Sequence, residues 1–135
     1  MGSKLNIVEL TDTRLLSSSF KIEDSEMARN GGSLEFSCEV QLIETETNEV
    51  IQLIATLKVH GFNEDKTLFN INGEYMSNYN IYDVDAFNAF PEQDRVEQCL
   101  SLMFSIIRED TMATLSRAGL RQITLPYHFN APELV

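Results

Sequence analysis

A chain of 135 residues can bury roughly two thirds of its unfolded surface, so it can fold as one domain without a disulfide or a metal. Its 43% hydrophobic and 23% charged residues are ordinary for a globular protein. Its net charge of −11 argues against nucleic acid and against an anionic membrane surface, both of which would repel it.

In chain order, residues 4–24 read as a long extended edge segment with Leu5, Ile7, Leu10, Leu15, Leu16, Phe20 and Ile22 as its apolar positions. Parity breaks between Leu15 and Leu16, which predicts a bulge. Asn30-Gly31-Gly32 forms a loop. Leu34, Phe36, Cys38, Val40 and Leu42 then alternate with Glu35, Ser37, Glu39 and Gln41, the period of a strand with one buried and one wet face. Glu44 and Glu46 keep the apolar parity, so either the strand leaves the core there or a bulge at Leu42-Ile43 reverses it. Thr45-Glu46-Thr47-Asn48 is the expected hairpin connection.

A third strand carries Ile51, Leu53, Ala55, Leu57 and Val59 inward, and Gly61 to Lys66 turns the chain. A fourth carries Phe69, Ile71, Gly73 and Tyr75. These short connections make the sheet antiparallel. From Met76 to Phe90 the periodicity dissolves into aromatics, Asn and Asp, which reads as a long loop. A helix then spans Gln93 to Arg117, started by Pro91 with Glu92 and Asp94 and stopped at Gly119. Val96, Cys99, Met103 and Ile106 mark one apolar stripe; Leu100, Phe104, Ile107 and Thr111 mark another. Two such stripes exceed what a small sheet covers, so one of them points to a partner chain or a bound ligand. An extended tail, Gln122 to Phe129, follows. The fold class is therefore α+β: a four-stranded antiparallel sheet, a long C-terminal helix and a tail, forming one domain over residues 1–135.

Catalytic signals are weak, and the chain reads as a non-enzyme. His60 and His128 are the only histidines, and neither stands in a metal-ligand spacing. The acidic pairs Glu23-Asp24, Glu64-Asp65 and Glu109-Asp110 point apart on helix or strand. No metal and no cofactor is expected. Cys38 and Cys99 fall at apolar positions, as buried free thiols. The first residues are too polar for a secretory signal, and Leu100 to Ile107 is far too short to span a bilayer, so a cytoplasmic protein without membrane insertion is expected. Tyr75, Met76, Tyr79, Ile81, Tyr82, Phe87 and Phe90 suit adaptable apolar recognition, since rings give area at low entropic cost and Met repacks easily.

The helix end and tail carry a resemblance. Arg108-Glu109, Ser116-Arg117 with Gly119, then Gln122-Ile123-Thr124-Leu125-Pro126 and Phe129 resemble the SecB family of export chaperones and the SecB-like chaperones of toxin–antitoxin–chaperone systems. Upstream, the match is one of architecture. The resemblance implies an ATP-independent holdase for unfolded or nascent polypeptides that assembles as a dimer of dimers, with helices packed between dimers; the stripe of Val96, Cys99, Met103 and Ile106 is assigned to that oligomer interface. It implies a client groove, by position along Tyr75 to Phe90 with Phe104 of the adjoining helix. It also implies an acidic sheet face that docks the translocation ATPase, to which Glu35, Glu39 and Glu74 are assigned. Export SecB continues into a mobile polar tail, whereas this sequence stops at Val135. That raises a client antitoxin as the alternative partner, with a small-ligand or enzymatic α+β domain as a further alternative.

Overall fold

The structure, a computed structural model, describes residues 7–47, 49–120, 122–123 and 133–134. The calls on His128 and on residues 124–129 of the extended tail lie outside them. Its elements are β1 (Val8–Ile22), α1 (Ser25–Asn30), β2 (Ser33–Glu44), β3 (Val50–Asn63), β4 (Lys66–Ile81), α2 (Val84–Ala89), α3 (Glu92–Arg117) and β5 (Glu133–Leu134). The sheet order is β1-β4-β3-β2-β5, with β1 to β4 antiparallel and β5 parallel to β2. The α+β class and the four-stranded antiparallel sheet followed by a long helix are as the patterning predicts.

The register follows the apolar alternation. Cys38, Val40, Leu53, Ala55, Leu57, Val59, Ile71 and Tyr75 are all buried on the face that carries α3. β1 has irregularities between Leu10 and Asp12 and between Leu15 and Ser17. The second places Leu16 as the extra residue where parity breaks. Leu42, Ile43 and Glu44 pair with Leu53, Gln52 and Ile51 without a shift, so β2 simply leaves the core at the exposed Glu44 and no bulge occurs. The turn after β3 is only Glu64-Asp65, with Glu64 left-handed at φ 54°.

The expected loop from Met76 to Phe90 is corrected. β4 continues to Ile81, and α2 fills Val84–Ala89. Parity persists through the supposed break, with Ser77, Tyr79 and Ile81 inward and buried. Ser77 disguises it as a polar residue in an inward slot. Its hydroxyl is satisfied by Thr13 Oγ1 at 2.7 Å and Met103 Sδ at 3.2 Å, so it is buried without an orphaned hydrogen bond.

Two short helices begin at aspartate caps. Asp24 accepts from the Met27 N–H and Asp83 from the Ala86 N–H, each at 3.0 Å, filling donors that a first turn leaves open. α3 ends as expected at Gly119, left-handed at φ 79°. The Leu120 N–H reaches Leu115 O and the Gly119 N–H reaches Ser116 O, and Leu120 is buried beneath the helix end. That is a Schellman arrangement with its hydrophobic contact.

The two apolar stripes of α3 are one. Val96, Cys99, Leu100, Met103, Phe104, Ile107, Thr111 and Leu115 are all buried within the single chain. At 3.6 residues per turn they span an arc of about 160°. Long twisted strands cover an arc that wide. Tyr79 Oη donates to the Cys99 carbonyl at 2.6 Å and Tyr75 Oη to Asp110 Oδ2 at 2.6 Å, while the Phe36 and Phe104 rings meet edge-on at 6.3 Å. α3 therefore runs back along β4 and reaches β2.

Candidate functional site

The sequence-predicted site residues do not form one open surface. Of the groove set, Tyr75, Tyr79, Ile81, Phe87 and Phe104 are buried and Phe90 is half-buried. They are core residues, because the continuation of β4 turns Tyr75, Tyr79 and Ile81 under α3. Met76 lies on the opposite face, paired with Ile54 and Arg14. Only Tyr82 is well exposed, at 61%, and its hydroxyl donates to Glu9 Oε1. The aromatic groove as expected is therefore closed by the chain's own packing.

The assembly stripe is corrected in the same way. Val96, Cys99 and Met103 face the chain's own sheet, and Ile106 alone is exposed, at 42%. Ile106 stands just beyond Cys99 on the rim of the buried arc, with half-buried Leu102 beside it. Among the described residues, the other large exposed aliphatic side chains are Leu15 and Leu16, at the second bulge of β1, and Leu34 near the start of β2. Leu15 and Leu16 mark the expected bulge, whereas Leu34 falls among the expected inward positions of β2 and is exposed instead. The parity break at Leu15-Leu16 is the available signal, since a bulge in an edge strand disturbs the alternation that would bury one of two adjacent leucines.

Glu35, Glu39 and Glu74 do share the face opposite α3. Thr56 pairs with both Glu39 and Glu74, so these three form one cross-strand row. The face is mixed rather than uniformly acidic. His60 Nδ1 lies 3.7 Å from Glu35 Oε2, and Lys58 is exposed between the two rows. Nearer the other end, Asn78 donates to Asp12 Oδ1 at 2.7 Å and accepts from Gln52 Nε2 at 2.9 Å, a polar ladder joining β1, β4 and β3.

Among the described residues, two clefts open on the helix-bearing side. One, of about 220 Å³, lies among α1, Gly31-Gly32, Leu34, Leu68, Phe69, Gln122 and Ile123. The other, of about 180 Å³ and mainly polar, is bounded by Leu42, Glu44, Thr47, Ile51, Phe87, Asn88 and Arg95, with the Arg95 guanidinium 5.9 Å from the Phe87 ring centroid. Both fall below the roughly 300 Å³ at which small-molecule sites begin. Each is of a size to admit a side chain or two. Among the described residues no group of three or more His, Cys, Asp or Glu is placed to hold a metal. No helix among them is long and apolar enough to cross a membrane. Burial pushes both thiols, Cys38 and Cys99, up to about 12, which leaves no reactive thiolate near neutral pH.

This combination is a four-stranded antiparallel sheet backed by one long helix, with small clefts, one mainly apolar and one mainly polar. It has the form of a SecB-like fold. The chain superposes on the Mycobacterium tuberculosis SecB-like chaperone Rv1957, solved in complex with a ChAD peptide from the Rv1956 HigA1 antitoxin. The TM-score is 0.66 at 13% identity, covering 91% of this chain and 88% of that one. It also matches a protein of unknown function from Streptococcus agalactiae, with TM-score 0.51 and 19% identity, over 88% of this chain and 96% of that one. No protein-family model and no curated protein matches the sequence. At these identities the likeness is one of fold.

Proposed function

We propose that this protein is a SecB-like chaperone that holds an unfolded segment of another polypeptide without ATP. The observation that carries this reading is the match over 91% of the chain to a SecB-like chaperone solved with a bound peptide. The small clefts support it, the one beside Gly31-Gly32 being mainly apolar, because they suit side chains presented by an extended chain better than a compact metabolite. A protein that holds unfolded segments must slow the aggregation of a chemically unfolded client at stoichiometric amounts and bind an unstructured peptide in solution. If it does neither, the chaperone reading is rejected.

Within that reading, one dedicated partner of antitoxin type is favoured over general export to a translocation ATPase, because the bound peptide of the mycobacterial neighbour comes from an antitoxin. Affinity purification from the source cell should then give one dominant client. A broad set of unrelated nascent chains together with the translocation ATPase would favour export.

Assembly as a dimer of dimers belongs to the same proposal, now carried by Ile106 with Leu15 and Leu16 rather than by the buried stripe. Ile106→Glu is expected to lower the particle mass in light scattering, since a charge placed in an apolar contact costs several kcal/mol. The fold should change by no more than about 0.5 kcal/mol, as usual for an exposed site. An unchanged mass would show that Ile106 meets no partner. Met103→Glu should unfold the chain instead, because that side chain is fully buried against its own sheet.

A further inference from the structure

Buried polar groups without a partner gather at one place in this chain. Among the described residues, the buried side-chain nitrogen and oxygen atoms that lack a hydrogen-bond partner are Arg95 Nε and both ends of the Gln98 amide. The two residues stand three apart on α3, so they are neighbours on its surface. Arg14, Lys21 and Lys66 each hold a carboxylate within 3.2 Å. Arg95 is half-buried, yet it forms no ion pair with a described residue. Its guanidinium lies instead over the Phe87 ring, 5.9 Å from the centroid. A charge drawn partly out of water is costly until an acceptor answers it, so Arg95 is poised to take one.

Arg95 also lines the cleft of about 180 Å³ between the hairpin end of β2 and β3 and the start of α3. The walls of this cleft divide by chemistry. Leu42, Ile51 and Phe87 offer apolar surface, and Glu44, Asn88 and Arg95 offer polar groups. Glu44 and Arg95 share the cleft without an ion pair between them. A carboxylate answers a guanidinium best, since two parallel N–H···O bonds match its fork. A phosphate fits less well, because its second charge would meet Glu44 and a chain of net charge −11. At ~30 Å³ per water the cleft has room for about six waters, which is the scale of one small residue.

We infer that this cleft binds a carboxylate carrying a short apolar group, whether a free aliphatic amino acid or the last residue of a polypeptide. Arg95 takes the carboxylate, and the apolar group lies against Leu42, Ile51 and Phe87. Glu44 faces the ligand's nitrogen: it attracts the ammonium of a free amino acid and accepts from the amide N–H of a chain end. The inference goes beyond the chaperone reading, since such a site needs no unfolded client.

The test uses the full chain and three probes: N-acetylvaline, which carries the carboxylate, N-acetylvalinamide, which lacks it, and free valine, which adds an ammonium. Calorimetric titration to about 10 mM, above the millimolar Kd of a weak contact, should show saturable binding of N-acetylvaline. The amide should bind roughly tenfold more weakly or worse, the loss expected when a guanidinium loses its charged acceptor. Arg95→Gln should weaken N-acetylvaline by a similar factor, with a urea midpoint that shows the variant folded. Arg95→Lys keeps the charge and loses the fork, so its affinity should fall between the two. Glu44→Gln changes an exposed side chain and should weaken free valine several-fold relative to N-acetylvaline. Tighter binding of free valine assigns the site to a free amino acid; tighter binding of N-acetylvaline assigns it to a chain end. No saturable binding of either acid, equal binding of acid and amide, or binding untouched by Arg95→Gln overturns the inference. If Arg95→Gln does not fold, Glu44→Gln decides: an unchanged ratio of the two acid affinities overturns it.

Discussion

Tyr79→Ala is expected to cost about 3–5 kcal/mol of folding stability, the range for deleting a buried ring, while leaving the client affinity of the remaining folded protein unchanged. Tyr79 is fully buried in the middle of the molecule. It pairs with Leu10 on one side and Ile51 on the other, and its hydroxyl donates to the Cys99 carbonyl of α3 at 2.6 Å. Removing the ring opens a cavity where β1, β3, β4 and α3 meet. A loss of that size is a large part of the roughly 5–15 kcal/mol that holds a domain folded. Tyr79→Phe keeps the ring and loses only the hydrogen bond, so it should cost about 0.5–1.5 kcal/mol. Urea denaturation of the three proteins, with peptide binding measured on the same samples, separates the two roles. A variant that stays as stable as the native chain but no longer binds peptide would return Tyr79 to the client surface.

Alkaline instability is the second large effect. Cys38 and Cys99 are held by burial at about 12, against 9.0 for an exposed thiol. Above pH 9 the unfolded chain therefore releases protons that the folded chain keeps, and stability falls as the pH rises. Each thiol contributes at most about 1.4 kcal/mol per pH unit. Rounding of the curve near pH 9 brings the two together to about 4–5 kcal/mol lost between pH 9 and 11. Burial also raises Tyr75, with Asp110 adding to it, and raises Tyr79, with the Cys99 thiolate as the lesser cause, which steepens the loss above pH 10. Thermal melts from pH 8 to 11 should show the decline, and Cys38→Ala/Cys99→Ala should flatten it between pH 9 and 10. An equally steep decline in the double variant would show that the thiols are not its source.

Where a period ran uninterrupted, the fold was legible. Leu34 to Leu42 and Ile51 to Val59 alternate without a break and pair as that alternation requires. The leucine pair of β1 marks its bulge, and Gly119 marks the end of α3. Legibility failed where one polar residue occupied an inward slot, as Ser77 does. It failed again where a helix of six residues was too short to show a period, as in α1 and α2. There the caps Asp24 and Asp83 were the available signals. The candidate site was less legible than the fold. Aromatic content around Tyr79 suggested a surface, but the same rings are what a wide sheet needs beneath a long helix. The pairing of β5 with β2 had no signal in the sequence, since two residues carry no period.

The sheet order has a consequence for how the chain reaches its native state. β2, β3 and β4 form a meander whose pairs are neighbours in sequence, and such local contacts form early. Among the described residues β1 pairs with β4 alone, so Val8 must wait for Ile81 and Ile22 for Phe69. During synthesis β1 leaves the ribosome well before its partner exists. Until β4 is complete, Leu10, Leu15, Leu16 and Phe20 belong to an unpaired apolar ribbon, the kind of transient surface that draws chains into aggregates. A protein proposed to shelter unfinished chains is itself, for that interval, one of them.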